Sequence, residues 1–209
     1  MNILIADDHA VVRRGLKDIL ADAIPGANFS EASDGDEVLG HLAKSSFGLL
    51  VLDINMPGRS GLDVLREIKQ AHPRLPVIIL SMQPEDQYAM RCLRAGAAAY
   101  INKDSAPEEL AKATKLILNG NRYVSPRLMD TLVVQLNDPG NKSPHELLSD
   151  RELEVMKMIA SGVPLTEIAD RLHVSVKTVS TYRARIMEKM NTKSNAELTR
   201  YAVSCQLID

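Results

Sequence analysis

Five polar residues in the first half of the chain follow the ends of short apolar runs. In chain order they are Asp7, Asp8, Asp53, Ser81 and Lys103. Clustered carboxylates repel one another unless a cation joins them, and hard oxygen ligands favour Mg²⁺. A carboxylate beside such a cation can act as a nucleophile toward a phosphoryl group, whose oxygens an ammonium and a hydroxyl can then bind. The set predicts a phosphorylation site on Asp53, provided that the fold brings these residues together.

The segments that precede these residues have the pattern of buried strands. Strands are predicted over residues 2–6, 27–31, 49–52, 77–80 and 98–101, and helices over 11–23, 36–44, 62–71, 85–95 and 107–118. Three of the strand segments are continuous runs of Val, Ile and Leu, which is typical of strands buried on both faces of a parallel sheet. Five strand–helix units in succession predict a doubly wound α/β domain with a five-stranded parallel sheet. The polar strand ends would then share one edge of that sheet.

The second half of the chain is predicted to be helical. One helix is expected over 125–136, and the turn-forming residues at 137–144 follow it as a linker. Further helices are predicted over 150–161, 166–172, 176–190 and 195–205. Capping boxes are predicted at Ser105 with Glu108, Ser149 with Glu152 and Ser194 with Glu197. The C-terminal segment is therefore expected to be an all-α, four-helix domain.

Two of these helices have the arrangement of a DNA-binding motif. Residues 166–172 and 176–190 are separated by a short turn, as in a helix-turn-helix. On the second helix the apolar residues share one side, and they are Val176, Val179, Ile186, Met187 and Met190. The same helix carries four basic side chains against one acidic side chain, where phosphates would lie. It is predicted to pack by its apolar side and to enter a major groove by its polar side.

The first 120 residues resemble a response-regulator receiver domain. The resemblance rests on Ile-Ala-Asp7-Asp8-His, Leu-Asp53-Ile-Asn55-Met-Pro, Ser81 and Tyr100-Ile-Asn-Lys103-Asp. The whole chain is similar to the NarL/FixJ class with a LuxR-type helix-turn-helix, on Leu-Ser-Asp-Arg-Glu-Leu-Glu-Val from residue 148 and Val-Ser-Val-Lys-Thr-Val from residue 174. This resemblance implies a flavodoxin-like receiver followed by the four-helix domain.

The resemblance implies roles for the polar residues of the receiver. Asp53 is expected to be the phosphoacceptor, assisted by Lys103. Mg²⁺ is expected to be held by Asp7, Asp8, Asp53 and the main-chain carbonyl of Asn55. Ser81 and Tyr100 match the switch pair of the family, in which the hydroxyl moves to the phosphate and the aromatic ring swings inward.

The resemblance also implies a DNA-contacting face. The base-reading positions of the family fall on Ser180, Thr181 and Ala184, whose small side chains supply no bidentate arginine–guanine contact. Basic residues around them are better placed for phosphates. The expected DNA contacts are Lys177, Thr178, Ser180, Thr181, Arg183, Ala184, Arg185 and Lys189.

The function expected on these grounds is phosphorylation-dependent regulation of transcription. A sensor histidine kinase would phosphorylate Asp53, and phosphorylation would shift self-association and promoter binding. The expected organisation is a receiver at 1–122, a linker with a helix at 123–146 and a DNA-binding domain at 147–209. Partners are expected to be double-stranded DNA, the kinase and a second copy of the chain, with RNA polymerase as a further candidate.

Composition places the chain among ordinary globular proteins. The hydrophobic content is 45%, and the formal net charge is −2. Neither an 18-residue apolar span nor a signal-peptide run is visible, and the two cysteines, Cys92 and Cys205, have no metal-ligand spacing. A cytoplasmic protein without membrane contact is expected. Because residues 149–209 carry a net charge of only +1, DNA binding must come from local placement of charge.

Two other functions compete with this interpretation. Asp53 could be the nucleophile of a haloacid-dehalogenase-type phosphatase, but that chemistry needs a second Asp two residues later, where Asn55 stands. Alternatively, the chain could be a binding module that works without phosphate. With Mg²⁺ and a small phosphodonor, a receiver forms a stoichiometric acyl phosphate, whereas a phosphatase turns over steadily. The expectation is therefore a regulator and not an enzyme, although its receiver would assist its own phosphoryl transfer and dephosphorylation.

Overall fold

The computed structural model describes residues 1–83, 85–126, 128–129, 144–205 and 207–208, without the side chains of 86 and 87. Two compact units divide the chain, Met1–Leu136 and Asn137–Asp209. Among the described residues, no helix is both long and apolar enough to cross a membrane.

The first unit is an α/β layer structure built on one parallel sheet. Its strands are β1 (Asn2–Ala6), β2 (Asn28–Ala32), β3 (Leu49–Asp53), β4 (Val77–Ser81) and β5 (Ala99–Asn102). Its helices are α1 (Ala10–Ala23), α2 (Gly35–Lys44), α3 (Gly61–Ala71), α4 (Glu85–Arg94) and α5 (Ala106–Leu118). The strand order is β2-β1-β3-β4-β5, with every pair parallel. The predicted doubly wound, five-stranded parallel sheet is confirmed.

Burial explains why the strand segments are so apolar. Every residue of β3 and β4 is buried. Alternate side chains of the central strands, such as Ile5, Val51 and Leu80, pack with Leu16 of α1 and Leu110 of α5 in one core. The other side chains point to the opposite face, because successive residues of a strand alternate in direction. The sheet is therefore covered on both faces and exposes functional groups mainly at its ends.

The start of α5 differs from the prediction. Ser105 has helical backbone angles and, within the described residues, no capping hydrogen bond. Its hydroxyl donates instead to the carbonyl of Asn102, at 3.1 Å. A short 3-10 turn, Lys103–Ser105, runs directly into α5, and the side chain of Asn102 caps it by accepting from the Asp104 amide. The predicted capping box at Ser105 is wrong because the helical turns already begin at Lys103, two residues earlier.

Residues after α5 continue to pack on the first unit. The Tyr123 amide donates to the Ala98 carbonyl, and the Tyr123 side chain joins the core. The buried Ser125 hydroxyl donates to Glu85 Oε1 at 2.5 Å. Packing of the first unit thus extends past residue 122. Most of the helix predicted at 125–136, and nearly all of the turn-rich stretch at 137–144, lie outside the described residues.

The second unit is helical throughout its described part. A 3-10 turn, Pro144–Leu147, precedes α6 (Asp150–Ala160), α7 (Leu165–Arg171), α8 (Val176–Met190) and α9 (Asn195–Ser204). Ser149 and Glu152 form the predicted capping box of α6. At α9 the Ser194 side chain caps as predicted, but the Glu197 carboxylate accepts from the Lys193 amide. The predicted helical domain is confirmed, with α7 and α8 joined by a turn in which His173 has φ 52°.

Candidate functional site

The sheet brings the predicted polar residues of the first unit to one edge. Asp7 follows β1, Asp53 ends β3, Ser81 ends β4 and Lys103 follows β5. These four strands are neighbours, with Ala6 beside Leu52, Asp53 beside Leu80 and Ser81 beside Asn102. In a parallel sheet the carboxyl ends of adjacent strands point the same way. The residues therefore converge although they are far apart in sequence.

Lys103 lies between two buried carboxylates. Its Nζ atom is 2.6 Å from Asp53 Oδ2 and 2.7 Å from Asp7 Oδ2. Burial raises the pKa of Asp53, and the hydrogen bond from Lys103 offsets only part of that rise. Burial lowers the pKa of Lys103, but pairing with Asp53 and Asp7 outweighs burial and the pKa is raised overall. One ammonium thus serves two carboxylates, and the cluster keeps an excess of negative charge.

The acidic residues after β1 form a cluster with His9. One ligand atom from each of Asp7, Asp8 and His9 lies within 4.8 Å of the others. Asp7 Oδ1 accepts from the His9 amide at 2.8 Å, and Asp8 Oδ1 lies 2.6 Å from His9 Nδ1. The Lys103 ammonium approaches Asp7 Oδ2 outside hydrogen-bond geometry, so this buried oxygen accepts no hydrogen bond from the part of the chain that the structure describes. The Lys103 ammonium, at 2.7 Å, is the positive charge beside it.

The loop after β3 holds Asn55 beside Asp53. The Asn55 amide donates to Asp53 Oδ1 at 3.0 Å. Gly61, the first residue of α3, donates from its amide to the Ile54 carbonyl. A Cβ atom at Gly61 would lie only 2.5 Å from Ile54 Cα. Because this close approach requires glycine, α3 fixes the path of the backbone next to the Asp53 carboxylate.

Ser81 and Tyr100 meet the same residue of the β4–α4 loop. The Gln83 amide donates to Ser81 Oγ at 3.0 Å, and the Tyr100 hydroxyl donates to the Gln83 carbonyl at 2.8 Å. Tyr100 is 1% exposed, and burial raises the pKa of its phenol. The ring therefore lies inward, in the position that the resemblance associates with the activated switch. Ser81 Oγ therefore accepts from the same loop residue that Tyr100 contacts.

The exposed side of α8 carries most of the predicted DNA-contacting residues. Lys177, Ser180, Thr181, Ala184 and Arg185 are exposed. The Ser180 and Thr181 hydroxyls donate to the carbonyls four residues earlier, each at 3.0 Å. Thr178 is half-buried, and its hydroxyl pairs with that of Ser175, the N-cap residue. The structure thus brings these side chains to one face of the helix.

The apolar residues of α8 lie on the opposite side of the helix, and all but one of those predicted to pack are buried or half-buried. Val179, Ile186 and Met190 are buried, and Met187 is half-buried. Val176 is 42% exposed. The prediction that Val176 packs with the other apolar residues is wrong, because it is the first residue of the helix and lies beside the exposed turn that precedes α8.

Two predicted DNA contacts are engaged within the domain. Arg183 Nε donates to Asn195 Oδ1 of α9 at 2.9 Å. Lys189 Nζ donates to Glu152 Oε2 of α6 at 2.6 Å. Burial raises the pKa of Glu152, but hydrogen bonds from Lys189 and Ser149 outweigh burial and the pKa is lowered overall. These contacts connect the middle and the end of α8 to neighbouring helices.

Helix α9 and the residue after it carry four apolar side chains at helical spacing, and two of them are fully buried in their own domain. Leu198 and Ala202 are fully buried, whereas Tyr201 and Cys205 are half-buried. The Tyr201 hydroxyl lies 2.8 Å from His145 Nδ1. At least half of these four apolar residues thus pack within the domain.

Comparison with known proteins agrees with both halves of this description. Residues 3–115 match the family described as Response regulator receiver domain, and residues 146–202 match Bacterial regulatory proteins, luxR family. The Response regulator GacA of Pseudomonas protegens is 35% identical over 209 residues, which cover 100% of this chain and 98% of GacA. The Oxygen regulatory protein NreC of Staphylococcus carnosus is 38% identical over 216 residues, and the match covers 100% of both chains.

The chain is a response regulator of the NarL/FixJ class.

Solved structures of relatives match this response regulator along almost its full length. RcsB of Salmonella enterica serovar Typhimurium, bound to promoter rprA in the presence of phosphomimetic BeF3-, is 30% identical with a TM-score of 0.63. That match covers 98% of this chain and 99% of RcsB. The response regulator therefore combines a receiver with a LuxR-type DNA-binding domain. Its family consists of DNA-binding transcription regulators and not of classical enzymes.

Several contacts in the response regulator could not be predicted from the sequence, because no motif marks the residues that make them. Arg13 donates from Nη1 to the Asp7 carbonyl at 2.7 Å and from Nε to Glu31 at 2.9 Å. Gln83 joins Ser81 to Tyr100 through its backbone alone. Arg13 could have been suspected only from its place in the first turn after the acidic pair, and Gln83 from no property of its side chain.

Proposed function

We propose that a sensor histidine kinase phosphorylates Asp53 of this regulator with Mg²⁺, and that phosphorylation shifts self-association and promoter binding. The observation that carries the proposal is the single ammonium of Lys103 within 2.7 Å of both Asp53 and Asp7. We assign the receiver to residues 1–122, the linker to 123–146 and the DNA-binding domain to 147–209. We further infer that the protein acts in the cytoplasm.

The composition of the pocket fits a hard divalent cation. The available donors are carboxylate oxygens, and Asp7 Oδ2 is buried without a hydrogen-bond donor in the described part of the chain. Asp7, Asp8, Asp53 and the Asn55 carbonyl would hold the ion. When bound, Mg²⁺ would neutralise negative charge on the transferring phosphoryl oxygens. The excess of carboxylates over Lys103 supports this assignment.

The chain's own residues account for the phosphoryl transfer. An Asp53 carboxylate oxygen forms the new bond to phosphorus as the bond to the donor's leaving group breaks. The Asn55 amide holds Asp53 Oδ1, so the attacking carboxylate has a defined orientation. Lys103 already pairs with Asp53 Oδ2, so its ammonium would stabilise the negative charge of the transferred phosphoryl group. The same groups would assist hydrolysis of the acyl phosphate.

Ser81 would couple phosphorylation in the pocket to a structural change outside it. Its hydroxyl would donate to a phosphoryl oxygen, and this new bond would pull on the contact with the Gln83 amide. Tyr100 holds the Gln83 carbonyl and would follow any shift of that loop. Glu85, two residues later, begins α4 and accepts from Ser125 beyond α5. A few kcal/mol of differential interaction would suffice to shift the population of such a two-state element.

In the second unit we propose that α8 is the recognition helix. Lys177 and Arg185 are placed for phosphates, with Thr178 and Arg183 at the margins of the face. Ser180, Thr181 and Ala184 are placed for base edges. Because the hydroxyl protons of Ser180 and Thr181 are used within the helix, their free lone pairs suit the amino groups of adenine or cytosine. Lys189 is not included because its ammonium is bound to Glu152.

Dimerisation is the proposed link between phosphate and promoter. RcsB has been solved as two dimers bound to two parallel DNAs. If each protomer binds one half-site, self-association turns the second contact into a local event at high effective concentration. RNA polymerase is a further candidate partner at the promoter.

Two measurements test the proposal. Incubation with Mg²⁺ and acetyl phosphate should give about one acyl phosphate per chain, whereas steady release of phosphate would favour a phosphatase. Ultracentrifugation should show more dimer after phosphorylation, together with tighter binding to a duplex with two half-sites and little gain on one half-site. Equal gains on both duplexes without a change in mass would indicate release of a masked recognition helix instead.

A further inference from the structure

An ion pair between an exposed lysine and a buried carboxylate connects the end of α8 to the start of α6. Lys189 Nζ lies 2.6 Å from Glu152 Oε2. The Glu152 side chain is only 4% exposed, whereas that of Lys189 is 40% exposed. The same carboxylate oxygen accepts from the Ser149 amide at 2.7 Å, as part of the α6 capping box. The ammonium is therefore held by a carboxylate that is itself fixed by the backbone.

This arrangement competes with a phosphate contact. To reach a phosphate, the Lys189 ammonium would have to leave Glu152 behind as a buried carboxylate with one partner fewer. Removing one partner of a buried pair is strongly unfavourable, because the remaining charge has lost both water and its counter-charge. Lys177 and Arg185 have no such carboxylate partner within the described residues, and both are exposed. The two kinds of cation on α8 therefore serve different purposes.

The pair also restricts the rotation of the helix. Arg183 ties the middle of α8 to Asn195 of α9, while Lys189 ties its last turn to α6. The residues proposed to read bases lie one to three turns toward the N-terminus of α8. A small rotation at the anchored end would be carried along the whole helix, because its backbone is continuously hydrogen-bonded.

We propose that Lys189 and Glu152 are positioning residues that set the orientation of α8 against the bases, and that Lys189 makes no phosphate contact. This inference rests on the proposed DNA-binding role of α8. Loss of the pair should reduce discrimination between DNA sequences and leave the salt dependence of binding unchanged. Loss of a phosphate contact would do the opposite.

The test compares Glu152→Gln, Lys189→Met and their combination in the full chain. Glutamine keeps the capping box, which accepts Glu or Gln at this position, so Glu152→Gln removes the charge with the least risk to folding. The probes are a duplex that the wild-type protein selects from a random library and a shuffled duplex of the same composition. Affinities are measured over a range of salt concentrations, well below the thermal midpoint of each variant.

We expect each single variant to lose about tenfold of the preference for the selected duplex, the scale of one poorly matched base pair. The double variant should lose no more than either single one, because the two residues act as a unit. The salt slope of Lys189→Met should equal that of the wild type. Lys177→Met is the matched control, and its slope should fall by about one unit.

Two results would overturn the inference. A salt slope lowered by about one unit in Lys189→Met, with equal loss on both duplexes, would establish a phosphate contact. Wild-type preference in folded Glu152→Gln would show that the pair does not position the helix. If the wild-type protein selected no duplex, the proposed DNA-binding role itself would fail, which is a separate outcome.

Discussion

The pocket of the receiver and the recognition face of α8 use their polar groups in opposite ways. Asp7, Asp53 and Ser81 are buried, and each accepts a hydrogen bond from the backbone amide two residues later. Lys103, which follows another strand, pairs with both carboxylates. On the recognition face of α8 most polar side chains are exposed, and within the described residues the hydroxyls of Ser180 and Thr181 bond only to carbonyls of the same helix. Phosphoryl transfer requires reacting groups that are already held in the correct geometry, whereas side chains that contact DNA must be exposed before the DNA binds.

A lysine on a buried carboxylate occurs in both regions, with different consequences. Lys103 has a 13% exposed side chain and pairs with two carboxylates at the centre of the pocket. Lys189 is more exposed and pairs with one carboxylate at the edge of the recognition helix. We propose that the first charge takes part in phosphoryl transfer and that the second maintains the position of a helix.

The largest effect is expected from Asp53→Asn. This change removes the nucleophile and conserves the shape of the side chain, so phosphorylation by acetyl phosphate with Mg²⁺ should be lost completely. Mass spectrometry of the intact chain measures it. Asp104→Asn, which removes an exposed carboxylate close to the pocket in sequence, should be phosphorylated like the wild type. A full acyl phosphate on the Asp53 variant would assign the acceptor to another residue.

Lys103→Met should lower the free energy of unfolding of the first unit by about 3 kcal/mol, since it leaves two buried carboxylates without their shared ammonium. Urea denaturation without divalent cations measures this loss. Millimolar Mg²⁺ should then stabilise the variant more than the wild type, because the variant has more uncompensated negative charge. Lys112→Met, on the exposed side of α5, is the control. An unchanged midpoint would mean that the pocket tolerates its charge without Lys103.

Lys177→Ala should weaken binding to selected and shuffled DNA about equally and lower the salt slope by about one unit. The physical reason is the loss of one released counterion, whatever the sequence of the duplex. Fluorescence anisotropy at several salt concentrations measures both quantities. A sequence-dependent loss would indicate that Lys177 contacts a base, and the division of α8 into phosphate and base contacts would then need revision.

Thr181→Ala should have the smallest effect, a loss of preference at one base position of about 1 kcal/mol. One hydroxyl makes one hydrogen bond, and the salt slope should not change because no charge is removed. Binding to a set of duplexes that vary each position in turn measures the loss. Equal weakening at every position would argue against a base contact by this residue.

Much of the receiver could be predicted because its signals are local. Strand ends were predicted within about one residue of Leu49–Asp53 and Val77–Ser81, since a continuous aliphatic run ends where a polar residue begins. The convergence of Asp7, Asp53 and Lys103 followed from the parallel arrangement alone. The start of α5 was missed because Ser105 satisfies the capping pattern, while the preceding 3-10 turn depends on the Asn102 side chain.

On the recognition helix the sequence pattern distinguishes an apolar side from a polar side. The structure further distinguishes polar residues that are exposed from polar residues that are paired with a neighbouring helix. Lys177 and Lys189 are indistinguishable by residue type. Among the residues that the structure describes, only the second is paired with a buried carboxylate, contributed by a residue 37 positions away. A periodic pattern reports which side of a helix faces the solvent, and it carries no information on what a neighbouring helix places at its edge.

The sequence by itself determined the parallel α/β fold, the helical second unit, the family and the set of polar residues at one sheet edge. These properties follow from periodicity and from residue types at strand ends, which are local features. Only the tertiary structure decided which atoms pair: Lys103 with Asp53 across 50 residues, Arg13 with the Asp7 carbonyl, and Lys189 with Glu152. The reason is physical, because the partner of a long charged side chain depends on the burial and charge of the surface that it reaches.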